Sequence, residues 1–325
     1  MSTLTRIKTL IPGYSRKWRQ RCAVMLAELN RAAQHITFSE EGNYVSALWH
    51  GKQRFFGFPS DQAHRELAEV LGSALPGSVS PRTFRMACDL IARYLYPHIR
   101  ADLSPPGSVD QLHGFHGQHR DNANSVIPSA DRAVLRALFE PQEGQVILEG
   151  GAFLGFGALA VAPLIKGGRY IAVEANSECF GLLQKNLAHS TQPNIDAVHG
   201  ALWKQADQMQ LATGYAQANT LVDGMGFGSS VADVRTVKID DLLTELGLKR
   251  LDLLGLTING AEPEALEGAS DTLTNLRPKI RAAGWYQRDG KPVADMVSTI
   301  LDQYDYRIWV GPQRNCLAVP REEFR

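Results

Sequence analysis

Cysteine is scarce in this chain of 325 residues: Cys22, Cys88, Cys179 and Cys316 stand far apart, with neither a close pair nor a metal-ligand spacing. That excludes a disulfide framework and reads as buried thiols in a reducing compartment. Net charge is missing too. Lys plus Arg and Asp plus Glu number 34 each, which removes any global electrostatic case for nucleic acid or an anionic membrane as partner. The longest uncharged stretch, residues 150–165, is too short and too rich in glycine to cross a bilayer. The N-terminus has no continuous apolar core and no small-residue cleavage site, so no secretory signal is expected and the protein is read as cytoplasmic. Acidic residues are absent before Glu28, while Arg6, Lys8, Arg16, Lys17, Arg19 and Arg21 lie among Leu4, Ile7, Leu10, Ile11 and Trp18. This segment reads either as a solvated or docked terminal arm, interrupted at Pro12-Gly13, or as a basic surface helix touching phospholipid headgroups.

What is present is the composition of a chain that buries a core, with 44% hydrophobic and 21% charged residues. The length allows one α/β domain of about 200 residues plus an extension, on the usual ~100 to 200 residues per domain. Three regions are expected: an accessory part of mixed α and β type at 1–103, a His-, Gly- and Pro-rich loop or linker at 104–127, and an α/β domain at 128–325. In the first, β-rich runs over 36–58 predict a small meander. Ser80-Pro81 is a helix start, with Phe84, Cys88, Ile91 and Leu95 at helical spacing behind it. Ser129 is placed to cap a helix carrying Val134, Leu135, Leu138 and Phe139. Beyond Gly144, apolar runs at 146–149, 170–174, 195–199, 251–258 and 279–285 are mostly separated by helix-length segments. One helical stripe is Phe180, Leu183 and Leu187 behind a Ser177 cap; another is Leu266, Ala269, Leu273 and Leu276. Parallel strands need a helix to carry the chain back, so the expected fold class is α/β, a mostly parallel sheet covered on both faces.

The chemistry concentrates where Val146-Ile147-Leu148-Glu149 runs into Gly150-Gly151-Ala152-Phe153-Leu154-Gly155 and an Ala-rich helix. A strand ending in an acid, then glycines, then a helix, sets a backbone turn at the carboxyl edge of the sheet, where open α/β folds bind ligands. Gly151 and Gly155 let the chain pass close to a ligand with no Cβ in the way, and Glu149 can pair with a cationic group. Glu174 ends the next strand, ahead of Ala175 and Asn176, and a carboxylate there can accept both hydroxyl protons of a ribose. Two acids on adjacent strand ends suit an adenosine bearing a positive sulfonium and suit a pyrophosphate poorly. Two other readings stay open: a tight turn that binds nothing, and a dinucleotide site. Gly155-Phe156-Gly157-Ala158-Leu159-Ala160 matches the dinucleotide fingerprint with Ala in last place, and Glu174 follows at about the expected ~20 residues. That fingerprint should open directly after the strand, whereas Gly155 lies six residues past Glu149.

From about Ile127 onward the chain resembles the FkbM-type methyltransferases. The resemblance is carried by 148–155, 171–180, 194–202, Gly226-Phe227-Gly228-Ser229-Ser230-Val231, Val237-Lys238-Ile239-Asp240-Asp241-Leu242-Leu243, 260–269 and Asn315-Cys316-Leu317-Ala318-Val319-Pro320. It implies a Rossmann-like fold, S-adenosylmethionine as cofactor, and methyl transfer mainly to hydroxyls of sugars, polyketides and related metabolites, so that the partner is a small hydroxylated acceptor. It implies donor contacts from Glu149, Gly150, Gly151, Ala152, Phe153 and Gly155, from Glu174, Ala175 and Asn176, and from Gly200, Ala201 and Leu202 in the turn after His199. It places Phe227, Gly228 and Ser229 near the acceptor.

The departures from the family pattern matter as much. Phe153 stands where the family usually has Asn. Where the family's fourth strand reads Lys-Ile-Asp-Val-Glu-Gly-Ala-Glu, this chain has Gly255-Leu256-Thr257-Ile258-Asn259-Gly260-Ala261-Glu262. An acid beside the acceptor takes the hydroxyl proton as transfer proceeds, typically a ~10² to 10⁴-fold effect, whereas Thr257 and Asn259 can only orient the acceptor. The catalytic candidates that remain are Glu262, which at the first turn of a helix can equally complement the dipole, and His199, which reads equally as a structural histidine at the sheet edge. A non-catalytic donor-binding protein therefore stays open beside the enzyme. His113, His116 and His119 repeat every third residue, but no acid or Cys cluster matches them as a zinc site. No metal is expected, and His116 reads as part of a polar lid over the acceptor.

Overall fold

The structure, a computed structural model, describes residues 36–41, 44–49, 52–56, 129–213, 219–222, 230–311 and 315–324. The basic N-terminus, the expected helix at Ser80, the 104–127 loop with His113, His116 and His119, and Phe227, Gly228 and Ser229, expected near the acceptor, lie outside the described residues. Within the 36–58 run, β1 (Ile36–Glu41), β2 (Tyr44–Trp49) and β3 (Lys52–Phe56) pair antiparallel in that order, as a meander. Helix α1 (Ser129–Leu138) then leads to β4 (Val146–Gly150), α2 (Phe156–Val161), β5 (Arg169–Glu174), α3 (Ser177–Ala188) and β6 (Ile195–His199). A side sheet of β7 (Ala201–Leu202), β8 (Gln208–Thr213) and β9 (Ser230–Val237) follows. The chain continues through α4 (Ile239–Glu245), β10 (Leu253–Leu256), α5 (Glu262–Glu267), a π-helical turn (Thr272–Leu276) and β11 (Lys279–Ala282). It closes with a short hairpin of β12 (Gln287–Arg288) and β13 (Lys291–Pro292), α6 (Val293–Asp302), β14 (Tyr306–Val310) and β15 (Cys316–Pro320).

The main sheet runs β14-β15-β11-β10-β4-β5-β6. Strand β4 pairs in parallel with β5 on one side and β10 on the other; β6 and β11 extend the parallel array, and β15 runs against both its neighbours. From β4 the chain builds outward to β6, then returns to lay β10 on the opposite side. That reversal opens a crevice at the carboxyl ends of β4 and β10, the place where such sheets take ligands.

Successive residues of a strand point to opposite faces, and here both faces are covered. Ile147, Tyr170, Ala172 and Leu253 pack against Leu135 of α1, Ala158 and Val161 of α2 and Leu183 of α3. Leu148, Ile171, Leu254 and Ile280 pack against Leu242 of α4, Leu266 of α5, and Val297 and Leu301 of α6. Each fully buried aliphatic side chain is worth roughly 1.5–3 kcal/mol, which is why β4 and β10 read as nearly unbroken apolar runs. The result is the Rossmann-like α/β fold.

Three expectations change in detail. The cap of α3 is Asn176 rather than Ser177: its side chain accepts from the backbone N–H of Glu178 and Cys179, since an Asx oxygen one residue ahead of the first turn reaches those orphan donors. The stripe at Leu266, Ala269, Leu273 and Leu276 is not one α-helix. Its first part stops at Glu267 and its end winds as the π-helical turn, with Arg277 left-handed behind it at φ 49°. At Gly268 a Cβ would fall 2.3 Å from the Trp203 carbonyl oxygen, so the break lets this segment lie directly on the chain after β7. Finally, β10 is four residues long instead of the full 251–258 run, because Thr257 to Gly260 turn away to build the site.

Candidate active site

The turn after β4 is shaped by two residues behind it. Gly151 and Ala152 donate their N–H groups to the Val173 carbonyl of β5, at 2.9 and 3.0 Å. Gly151 has φ +80°, and a Cβ there would sit 2.1 Å from the Thr257 carbonyl oxygen. Only glycine permits both that conformation and that approach, so the turn after β4 lies flush on the end of β10. Phe153 is left-handed without being glycine, at φ 53°, and Gly155 follows at φ +82°. A bulky residue in that region costs of order 1–3 kcal/mol and persists only when its surroundings hold it. Part of what holds it is visible: the Phe153 N–H donates to Oε2 of Glu174 at 2.8 Å.

Glu174, at the end of β5, is the centre of this arrangement. Its other oxygen accepts the Asn176 N–H at 2.8 Å. Burial pushes its carboxyl up to about 7, opposed by those backbone N–H groups, with the nearby Glu149 adding a smaller upward push. Each carboxylate oxygen has a second lone pair, so Glu174 keeps acceptor capacity for a diol. Glu149 is placed differently from a simple ligand contact. Its Oε2 accepts the Tyr170 hydroxyl at 2.6 Å and Oε1 lies 3.4 Å from the Arg281 guanidinium, which reaches across β10 at Gly255, where a Cβ would lie 3.4 Å from that guanidinium. The carboxylate lies under the start of α2, 3.2 Å from where a Cβ on Gly157 would be.

Residues 151–308 match the family model described as the methyltransferase FkbM domain. That stretch, just under half of the chain, is similar to the FkbM methyltransferase domain. A search of curated proteins finds no match. Among solved structures the chain is similar to the methyltransferase FkbM from Methylobacillus flagellatus KT, at 17% identity over 80% of this chain and 71% of that one, with a TM-score of 0.43. It is also similar to fibrillarin from Aeropyrum pernix, in complex with natively bound S-adenosyl-L-methionine, at 11% identity over 87% and 98% of the two chains, with a TM-score of 0.38.

The remaining candidates divide between cleft and core. Ala201 and Leu202, expected as donor contacts, are buried in β7; a Cβ on Gly150 would collide with Leu202 Cδ1 at 2.5 Å, so Gly150 and Leu202 serve each other's packing. The side chains of these two residues therefore offer a ligand almost nothing. Gly200 donates its N–H to the Glu174 carbonyl, and the Asn176 side chain is committed to capping α3. His199, exposed at the end of β6 and in register with Glu174, stacks on Phe180 at 4.9 Å and holds Nε2 3.2 Å from the Ala175 carbonyl oxygen. A carbonyl only accepts, so that nitrogen carries the hydrogen.

At the end of β10 the residues replacing the family's acids are built into the frame. Asn259 is left-handed at φ 57°, a conformation Asn tolerates better than most residues. Its Nδ2 donates to the Asn219 carbonyl at 2.8 Å, its Oδ1 accepts the Tyr286 hydroxyl at 2.9 Å, and its own carbonyl accepts the Thr220 hydroxyl at 2.9 Å. Asn219, Thr220, Tyr286 and Arg281 were not expected from the sequence; a charge inside the apolar β11 run and the aromatic pair Trp285-Tyr286 just after it were the available signals. Glu262 is wholly buried, with its oxygens accepting the Ile258 and Gly260 N–H groups at 2.9 and 2.8 Å. Burial lifts its carboxyl to about 7. A group enclosed in this way holds the turn that presents Thr257 and Asn259. Among the described residues no group of three or more His, Cys, Asp or Glu is arranged to hold a metal ion, and no helix is long and apolar enough to cross a membrane.

Proposed function

We propose that this chain is an S-adenosylmethionine-dependent O-methyltransferase acting on a hydroxyl of a small metabolite or glycosyl substrate. The observation that carries the donor half of this reading is Glu174, a buried carboxylate at the end of β5 facing a glycine turn whose N–H it already accepts. The residues present fit an adenosine: Glu174 takes the ribose hydroxyls, and the carboxyls of Glu174 and Glu149 on neighbouring strands favour a positive ligand over an anionic one. When bound, the donor supplies a methyl group already activated by positive sulfur, so the protein's own work is alignment and exclusion of water. Thr257, presented by the Glu262-held turn, and Asn259 lie on the acceptor side, where they orient a hydroxyl rather than deprotonate it.

A second reading has an observation in its favour. The Asn259 amide is engaged by Asn219 and Tyr286 where the family carries an acid, which also suits a protein that holds the donor without transferring its methyl group. The dinucleotide reading loses support from Gly157, the fingerprint position at which a pyrophosphate would approach the backbone. Its open side faces the Glu149 carboxylate, which repels a diphosphate.

Calorimetry with S-adenosylmethionine and its demethylated product tests the donor assignment, and binding of NAD in place of both would overturn it. Methyl transfer to a panel of glycosyl and polyhydroxylated acceptors separates the enzyme from the donor-binding protein; donor binding with no transfer to any member favours the latter.

A further inference from the structure

Among the described residues, the amino-terminal meander meets the methyltransferase domain at a buried side chain, Asn186 of α3, which is 0% exposed. Its amide treats Phe55 of β3 as a neighbouring strand would. Oδ1 accepts the Phe55 N–H at 2.6 Å and Nδ2 donates to the Phe55 carbonyl at 2.9 Å. The second hydrogen of Nδ2 goes to the carbonyl of Leu154, also at 2.9 Å. Leu154 lies between the two left-handed residues of the turn after β4, Phe153 and Gly155. The same turn is held from the other side by the bond from Phe153 N–H to Glu174, and Gly155 lies against Leu183, one helical turn before Asn186. The Phe55 ring is buried too: it contacts the His189 ring at 4.7 Å and lies 4.4 Å beneath the Lys185 ammonium, so α3 receives it along one face.

We propose that the meander is a clasp on the donor loop: Phe55, through Asn186, fixes the Leu154 carbonyl and thereby the shape of the Gly151-to-Gly155 turn that receives the donor. Asn186 is then a positioning residue. The reasoning is that a left-handed Phe153 relaxes unless both of its flanks are tied, and that a buried amide losing one partner leaves unsatisfied groups on the others. The clasp deepens the donor-site reading and rests on it for its consequence in binding, while its effect on the loop is measurable without any ligand.

The experiment compares the full-length wild type with Asn186→Ala, Asn186→Asp and Phe55→Ala. Asn186→Asp keeps the acceptor for the Phe55 N–H and loses both donated hydrogens. Phe55→Ala keeps the backbone groups that meet Asn186 and the bond from Asn186 to Leu154, and removes only the ring that seats β3 on Lys185 and His189. Hydrogen–deuterium exchange in the ligand-free protein should rise at 151–155 in all three, with the peptide covering α6, on the opposite face of the sheet, unchanged. Affinity for S-adenosylmethionine should fall about tenfold in Asn186→Asp and less in Phe55→Ala. A merely structural role would speed exchange across α6 as well and overturns the proposal. Faster exchange in the Asn186 variants with none in Phe55→Ala also overturns it, since Asn186 would then act inside the domain alone. If the Asn186 variants do not fold, Phe55→Ala decides by the same two peptides. If wild type binds no S-adenosylmethionine, the proposed function falls, yet the exchange comparison still reads the clasp.

Discussion

At Glu174, solvation and hydrogen bonding pull against each other, and the balance sets a pH dependence. Burial holds the carboxyl at about 7 despite the three backbone N–H groups of Asn176, Phe153 and Ala175, so the free protein at neutral pH mixes both forms. A ribose donates its hydroxyl protons and selects the ionised acceptor. Donor binding therefore releases a proton, and affinity rises with pH until about 7 and levels off above it. Glu174→Gln should weaken binding by ~1.5–3 kcal/mol, the worth of hydrogen bonds to a charged group, and should remove the pH dependence. Affinity that stays flat across that range in the wild type would place the ribose elsewhere. Glu262 gives a second test, this time of stability. Its folded value, also about 7, lies above its ordinary 4.5, so the native state keeps a proton that the unfolded chain releases between the two. Its contribution is complete below 4.5, declines as pH rises to about 7, and is constant beyond. Denaturant titrations of Glu262→Gln should show a shallower loss of stability over that interval; an identical slope in both proteins would deny that Glu262 is enclosed as described.

At the scale of elements, the site depends on how closely the turn after β4 meets the end of β10. A methyl group on Gly151 would be driven into the Thr257 carbonyl, at a φ that alanine resists. Gly151→Ala should therefore push the two strand ends apart, costing on the order of 1–3 kcal/mol of stability and most of the donor affinity. Wild-type donor affinity in a folded variant would show that this contact is dispensable. The strand-end acids and the glycine turn were legible because chemistry interrupts pattern there: Glu149 and Glu174 end apolar runs, and the glycines between a strand and a helix have few other uses. The partners that hold Asn259 were not legible for a physical reason. Asn259 is held by Asn219, Thr220 and Tyr286, which lie 40, 39 and 27 residues away, and Arg281 meets Glu149 across 132 residues. Such contacts follow from sheet order, which periodicity does not report. The side sheet was missed likewise, since β8 buries only Leu211 and β9 only Val234, Thr236 and Val237 near its end, and the break at Gly268 answers to Trp203, a neighbour only in the folded chain.

For the whole molecule, the sheet order gathers Glu149, Gly151, Glu174 and His199 at the carboxyl edge of three adjacent strands, and both helical layers rest on those same strands. A ligand seated there engages the structure that must come apart on unfolding, so its binding energy should appear as heat stability. A ligand binding only the native state at a hundred times its dissociation constant adds ~2.7 kcal/mol. In a unit of 150–250 residues each kcal/mol raises Tm by ~2–4 °C, so S-adenosylmethionine at that excess should raise Tm by roughly 5–10 °C. The demethylated product should do nearly as well, because in the proposed site the ribose carries the recognition and the methyl group does not. NAD should leave Tm unmoved, since Glu149 faces the glycine at which a pyrophosphate would settle. In Glu174→Gln the shift from S-adenosylmethionine should shrink to a fraction of its wild-type size at the same concentration, tying the stabilisation to the end of β5 and not to a site elsewhere on the surface. A full shift in that variant, or a shift with NAD alone, would detach the donor from the one buried carboxylate on which its placement depends.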